Sequence, residues 1–423
     1  MIYIIKRTQL AEGVILNTIT DKRFKVNQFT AALFTEIKEA TLSEHCLVPD
    51  LLVDSCEKYP DYRALNRYTE GLYNLSLSAS MDFCGSCRAT LIRAVNIDDR
   101  YALDGEKLER ATVDLLAECL FRPRLENGAF AEDPFRIAQS QLIDDINAEK
   151  NDKSSYAARR GAAVAYRGEP SGLPYYGTLE QAAAATPQSA YAAYKEMLRT
   201  AHVEIFAVGC SDFTETAEIF TKAFSDIERG DIYDIRRTAS RLKTEVCEAC
   251  ENAEMEQAIL RMYYKSEGKA ERCATGLACS ILGGLPTSRF FTSIREKQSL
   301  CYYCSSSINN INSVLSVSAG VEPKNLELTR RAVTAELERM INDGITEEEL
   351  EQAKQALRQS AGAVYDSVSS ITSWYLGALF YDELYSPEEL MMKYEQCTAQ
   401  DVINALRLFK LDTVFVLKPG EEE

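Results

Sequence analysis

The chain has 423 residues, 46% hydrophobic and 26% charged, which at ~100–200 residues per domain allows about two to three domains with full cores. Lys plus Arg number 47 against 64 Asp plus Glu, a net charge of −17, so a phosphate-rich partner is repelled and nucleic acid is excluded as the expected ligand. No uninterrupted apolar run is long enough to cross a bilayer, so no membrane span is expected.

The opening segment MIYIIKRTQLAEGVILNTIT alternates apolar and polar residues and carries charge early. It lacks the apolar block of an export signal, and the expected location is the cytoplasm. TLSEHCLVPDLLVDSC (41–56) places Leu47, Val48, Leu51 and Leu52 on one stripe and predicts a helix. SLSASMDFCGSCRATLIRAV (76–95) predicts two alternating strands joined near Gly85. Two helices follow, LERATVDLLAECL (108–120) and FRIAQSQLIDDI (135–146), and then the apolar strand HVEIFAVG, which begins at His202. The charged stretch 226–246, weakly periodic and containing Gly230, marks a boundary. It divides the chain into domains at 1–228 and 229–423.

Beyond the boundary the same order recurs. ERCATGLACSILGG (271–284) predicts a helix ending at Gly283 and Gly284. YYCSSSINNINSVLSVSAGV (302–321) predicts two strands that turn at Asn309 to Asn312, and the helices LTRRAVTAELERM (328–340) and LEQAKQALRQSA (350–361) follow. Thr346, with Glu349 three residues on, predicts a capped helix start. Corresponding elements are offset by about 215–220 residues, the signature of two related α+β domains.

Catalytic motifs are scarce. The chain has two histidines, His45 and His202, and neither has a second His four residues away on a helix, so a two-His zinc site within one helix is excluded. His202, inside an apolar strand, is expected to be a hydrogen-bonded structural residue. Thirteen cysteines without an export signal are expected to be reduced thiols. Three Cys-x-x-Cys pairs occur, at 84/87, 247/250 and 301/304. The last falls in a predicted strand, where residues three apart point to opposite faces; the first two remain the only candidates for a Cys₄ zinc site. No Gly-x-Ser-x-Gly elbow or phosphate loop is present. What remains is LGGLPTSRFFTSIREKQSLCYYCSSS (282–307): two glycines opening a loop, an amphipathic helix with Arg289, Ile294 and Arg295, and Tyr302 on the next strand. An Arg donor fork near a Tyr hydroxyl suits an extended peptide laid along a strand edge.

At these residues the chain resembles the insulinase/pitrilysin family, inverzincin metallopeptidases with His-x-x-Glu-His on a helix of the N-terminal domain. The segment from Leu282 to Ser305 is similar to that family's C-terminal signature, and the duplicated order of elements extends the resemblance over nearly the whole chain. The resemblance implies two homologous α/β-sandwich domains, each an antiparallel sheet with helices on one face, arranged as half of a clamshell. It further implies that Arg295 and Tyr302 bind substrate backbone, and that Gly283 and Gly284 correspond to the family's Gly-rich loop. The metal half departs from the pattern: Cys46 stands at the first His, Pro49 at the Glu base, Asp50 at the second His, and Asp145 at the remaining Glu ligand. Pro49 carries no group to activate a water, so hydrolysis by the family mechanism is lost.

Segments such as TDKRFKVN and NDKSSYAARR (151–160) further resemble the non-catalytic member of paired Gram-positive bacterial peptidases. The expectation is an inactive subunit without a cofactor of its own, forming a heterodimer with a zinc-bearing catalytic subunit around a peptide chamber. Two alternatives stand beside it: a stand-alone peptidase with an atypical Cys46/Asp50/Asp145 metal site, and a homodimeric peptide-binding scaffold.

Overall fold

The computed structural model describes residues 5–236 and 238–420; residues 1–4 of the opening segment lie outside the described residues. Alternating side chains form Lys6–Ala11 (β1) and Val14–Thr20 (β2), and Gly13 at φ +64° makes the tight turn between them. Val26–Glu36 (β3), Ser76–Cys84 (β4) and Cys87–Ile97 (β5) follow, then the short hairpin Leu125–Glu126 (β6) and Ala129–Phe130 (β7), then His202–Gly209 (β8). The larger sheet runs β1-β2-β8-β3-β5-β4. All its pairings are antiparallel except β2 with β8.

The later strands are Cys247–Ala253 (β9), Ala258–Ser266 (β10), Tyr303–Asn309 (β11), Val314–Val321 (β12) and Phe409–Pro419 (β13). Their sheet runs β11-β12-β10-β13-β9, again with one parallel pairing, β13 with β9. Read from β9, this repeats the order from β2 to β4 in the first sheet. The duplication expected from the sequence is therefore one of topology, with β1 as an addition to the first copy.

The chain folds as two compact units. One comprises Met1–Asn147, Pro174–Arg236 and Val364–Ser386; the other Ala148–Leu173, Arg237–Ala363 and Pro387–Glu423. Each unit thus contains one segment from the other half of the sequence.

In the first unit most helices cover one sheet face, where Leu47, Val48, Leu51 and Leu52 of the helix Leu42–Asp54 join Phe29, Leu33, Val203 and Ile205. The opposite face is also covered. Ile19, Phe206 and Val208 pack there against Val368, Ile371 and Tyr375 of the helix Val368–Ala378. That second layer explains why β3 and β8 are buried almost throughout while the edge strand β4 alternates.

The second unit does the same with the helix Lys153–Ala165, whose Ala157 and Val164 meet Ile259, Phe415 and Leu417. Its Gly161 has no room for a side chain, since a Cβ would lie 2.5 Å from the Tyr263 hydroxyl.

Candidate functional site

Two places answer to the sequence-level candidates, one in each unit. In the first unit, the helix Leu42–Asp54 carries His45, Cys46, Pro49 and Asp50 within two turns. Cys46 is half-buried, and its thiol donates to the Tyr175 carbonyl at 3.4 Å. Burial pushes that thiol up to about 12, which leaves it neutral at physiological pH. Asp50 is held above the usual carboxylate range by partial loss of water and by the like charge of Asp145. Asp145 accepts a hydrogen bond from Gln141 at 2.8 Å.

The residue that sets the character of this place is Arg88 on β5. Its side chain is 1% exposed, donates to the Leu42 carbonyl at 3.3 Å, and leaves Nε and Nη2 without a hydrogen-bond partner. The guanidinium lies 5.4 Å from the Phe83 ring centre. Burial moves His45 from 6.5 to about 3, and the charges of Arg88 and Lys38 add to the shift, so the imidazole is neutral with Nδ1 unpartnered. The family's zinc does not fit these residues: the neutral Cys46 thiol lies near the buried Arg88 cation, Asp50 and Asp145 repel each other, and Pro49 supplies no base. Among the described residues, no three or more His, Cys, Asp and Glu side chains are grouped to hold a metal ion.

Sequence reasoning missed Arg88. Its only signal is a cationic residue within the apolar stretch CRATLIRAV. His202 stands as expected, with Nε2 2.9 Å from Glu204, a buried carboxylate that also accepts from Asn17 and Arg7.

In the second unit the helix Arg272–Cys279 continues into a π-helical turn, Ser280–Gly284. The two glycines therefore do not open a loop; they close a helix. Gly283 is buried, and a Cβ there would lie 2.6 Å from the backbone nitrogen of Ser306 on β11, so the absent side chain lets helix and strand touch. A second π-helical segment, Phe290–Lys297, carries Arg295. Arg289, just before it, is not a binding residue in this arrangement. Its guanidinium grips Glu349 at 2.6 and 2.8 Å, and Glu349 and Thr346 form the expected reciprocal cap.

Arg295 is exposed, with its guanidinium 4.8 Å from the Phe291 ring centre. Tyr302 is 50% exposed; its backbone donates to Gly320 at 2.8 Å and its hydroxyl to Glu322 at 3.4 Å. It lies immediately before the edge strand β11.

The cysteine pairs fall out differently from one another. Cys84 and Cys87 face each other across the Gly85 turn, with the Cys87 thiol donating to the Cys84 carbonyl at 3.0 Å. Cys247 and Cys250 lie on the edge strand β9. Cys301 and Cys304 correct the strand-based expectation. β11 begins only at Tyr303 and the chain bends at Tyr302, so Cys301 lies outside the strand, half-buried, and only Cys304 is on it, buried. All thirteen cysteines are free.

Residues 184–357 match the family described as "Peptidase M16 inactive domain". Along 97% of this chain and 96% of its relative, the protein is 23% identical over 412 residues to YmfF of Bacillus subtilis, described as a probable inactive metalloprotease. The chain is similar to insulinase-family proteins described as inactive. A zinc protease of Mycobacterium leprae, otherwise uncharacterized, is 25% identical to this homologue over 316 residues, 72% of this chain and 68% of that one. The fold agrees. A conserved protein from Enterococcus faecalis superposes with a TM-score of 0.90 at 24% identity, covering 99% of both chains. A peptidase M16 inactive domain from Pseudomonas fluorescens gives 0.82 at 17% identity, again over 99% of both. Among the described residues no helix of this homologue is long and apolar enough to cross a membrane.

Proposed function

We propose that this chain is the non-catalytic subunit of an insulinase-type zinc peptidase in the cytoplasm. It binds an extended peptide through Arg295 and Tyr302, with the turn at Gly283 and Gly284 shaping the approach, and completes the chamber of a catalytic partner that brings the zinc. The observation that carries this reading is the exposure of Arg295 and Tyr302 at the start of a sheet edge. An edge strand offers backbone donors and acceptors to an added strand, and a guanidinium offers a planar fork of donors to a peptide carbonyl or carboxylate. Resting the guanidinium on Phe291 reduces the freedom lost on binding. The misfit of zinc at Cys46, Pro49, Asp50 and Asp145 favours a partner as the source of metal over a stand-alone enzyme.

The test is purification of the tagged chain from its native cells, with companions identified by mass spectrometry. A stoichiometric companion bearing His-x-x-Glu-His is expected; recovery of this chain alone overturns the proposal. In the reconstituted pair, Arg295→Ala removes charge-assisted hydrogen bonds worth ~1.5–3 kcal/mol, so the apparent KM should rise roughly tenfold or more. The zinc content per complex should stay the same. An unchanged KM takes Arg295 out of the site.

A further inference from the structure

The Arg88 guanidinium is a buried cation whose free nitrogens meet no carboxylate among the described residues. Its Nη1 donates to the Leu42 carbonyl at 3.3 Å, the Phe83 ring centre lies 5.4 Å away, and Nε and Nη2 have no hydrogen-bond partner. Cys46, one turn on from Leu42, spends its proton on the Tyr175 carbonyl at 3.4 Å and offers no negative charge. Two further donors stand beside Arg88 in the ladder of β3 and β5. Thr35 is its register partner, and Thr90, opposite Leu33, is two residues along β5. Alternation puts Thr35, Arg88 and Thr90 on the face that also carries Leu33 and Ile92, the face packed against Leu47 and Leu51 of the helix Leu42–Asp54. The two threonines are 4% and 0% exposed, and neither hydroxyl has a hydrogen-bond partner among the described residues.

We propose that Arg88 holds a small dehydrated anion of the halide class, chloride under ordinary conditions, against its Nε and Nη2 and the hydroxyls of Thr35 and Thr90. A guanidinium stays protonated at any ordinary pH, and a charge taken out of water is costly unless it is paired. Four buried donor atoms on neighbouring register positions, with no carboxylate among them, call for an acceptor that is itself negative. Arg88 is 1% exposed, so the anion leaves its water behind. A monatomic ion of single charge does so at lower cost than phosphate, and it needs less room than the terminal carboxylate of a peptide.

Beside the helix that would carry the zinc ligands, the charges are thus reversed: the fixed cation belongs to the protein and the exchangeable ion is negative. All the residues of this site lie in the first unit, whereas Arg295 and Tyr302 lie in the second. The inference goes beyond the peptide-binding reading and stands or falls without it.

The experiment takes the purified full chain, dialysed into sodium gluconate, and titrates it with sodium chloride at constant ionic strength. Binding to the folded state should raise the thermal midpoint of the unmutated chain by ~3–6 °C, relative to Arg88→Met in the same salts, once chloride reaches ~10 times its dissociation constant. Comparing the two chains cancels the general effect of exchanging one anion for the other. Thr35→Val keeps the shape of the side chain and removes one donor, so it should need several-fold more chloride for the same shift. Crystals of the unmutated chain soaked in bromide should show an anomalous peak in contact with Arg88 Nη2. Equal shifts in the unmutated chain and Arg88→Met overturn the proposal, and so does a bromide map with no peak beside Arg88. The bromide map decides the matter even if Arg88→Met does not fold.

Discussion

His45 is a titratable residue that its surroundings hold uncharged. It is buried, its Nδ1 has no partner, and burial together with the charges of Arg88 and Lys38 takes it from 6.5 to about 3. The unfolded chain therefore binds a proton on this imidazole below pH ~6.5 that the folded chain refuses, and folding stability must fall as pH drops. The expected slope is ~1.4 kcal/mol per pH unit between pH ~6 and ~4. Urea unfolding across that range measures it directly. In His45→Leu this contribution should vanish, leaving the shallower slope of the carboxylates; equal slopes in both chains would mean that His45 is protonated in the folded state.

At the scale of elements, one irregularity in β13 organises the second unit. Tyr263 pairs with Thr413 and Tyr264 with Leu411, so Asp412 is an extra residue bulged out of the ladder. The bulge turns its buried carboxylate to accept from the Lys243 backbone and ammonium at 2.8 and 2.7 Å and from Thr413 at 2.7 Å. Lys265, 1% exposed, stands 3.6 Å away and donates to the Ala165 and Arg241 carbonyls at 2.7 and 2.8 Å. Burial alone would raise the Asp412 pKa, but the hydrogen bonds from Lys243 and Thr413 and the charge of Lys265 prevail and hold it below the ordinary carboxylate value. Its contribution is fully present above pH ~4 and is lost as acid carries the pH down through that depressed value. Asp412→Asn, which leaves Lys265 without its buried counter-charge, should cost ~3–5 kcal/mol at neutral pH. A loss of under ~1 kcal/mol in thermal or urea unfolding would show that the lysines are held by their other partners, the carbonyls and, for Lys265, Glu169 at 3.4 Å.

This bulge was not legible in the sequence, because LDTVFVLK reads as a regular strand whichever residue is left out of the ladder. The helices were legible where one side faces water. The stripe of Leu47, Val48, Leu51 and Leu52, and the Thr346 and Glu349 cap, carry their own local signal. The hairpins at Gly85 and at Asn309–Asn312 did too, the second because the Asn309 side chain accepts from the backbone of Ile311 and Asn312. Cys301 was misread because alternation does not register a bend at Tyr302. Arg88 was missed because a buried cation is defined by what surrounds it, and those neighbours come from residues 42, 83 and 175.

At the scale of the whole molecule, the same reasoning applies to the exchanged segments, which have no local signature. Nothing in VSSITSWYLGA announces that it covers β8, yet Val368, Ile371 and Tyr375 bury Ile19, Phe206 and Val208. Its Thr372 accepts from the buried amide of Gln28 at 3.0 Å, and its Ser369 donates to the same side chain at 2.6 Å. A chain cut at residue 236 lacks this layer. Each large apolar side chain left uncovered forfeits ~1.5–3 kcal/mol, and the stranded Gln28 amide costs ~1–3 kcal/mol more only where water cannot reach it. The sum approaches the ~5–15 kcal/mol by which a domain is normally stable. Residues 1–236 expressed alone should therefore bind a hydrophobic dye and lack a cooperative thermal transition. Residues 364–386 joined to that fragment through a flexible linker should restore the transition and expel the dye. A fragment 1–236 that unfolds cooperatively at the midpoint of the intact chain would show that the helix Val368–Ala378 covers the sheet without stabilising it.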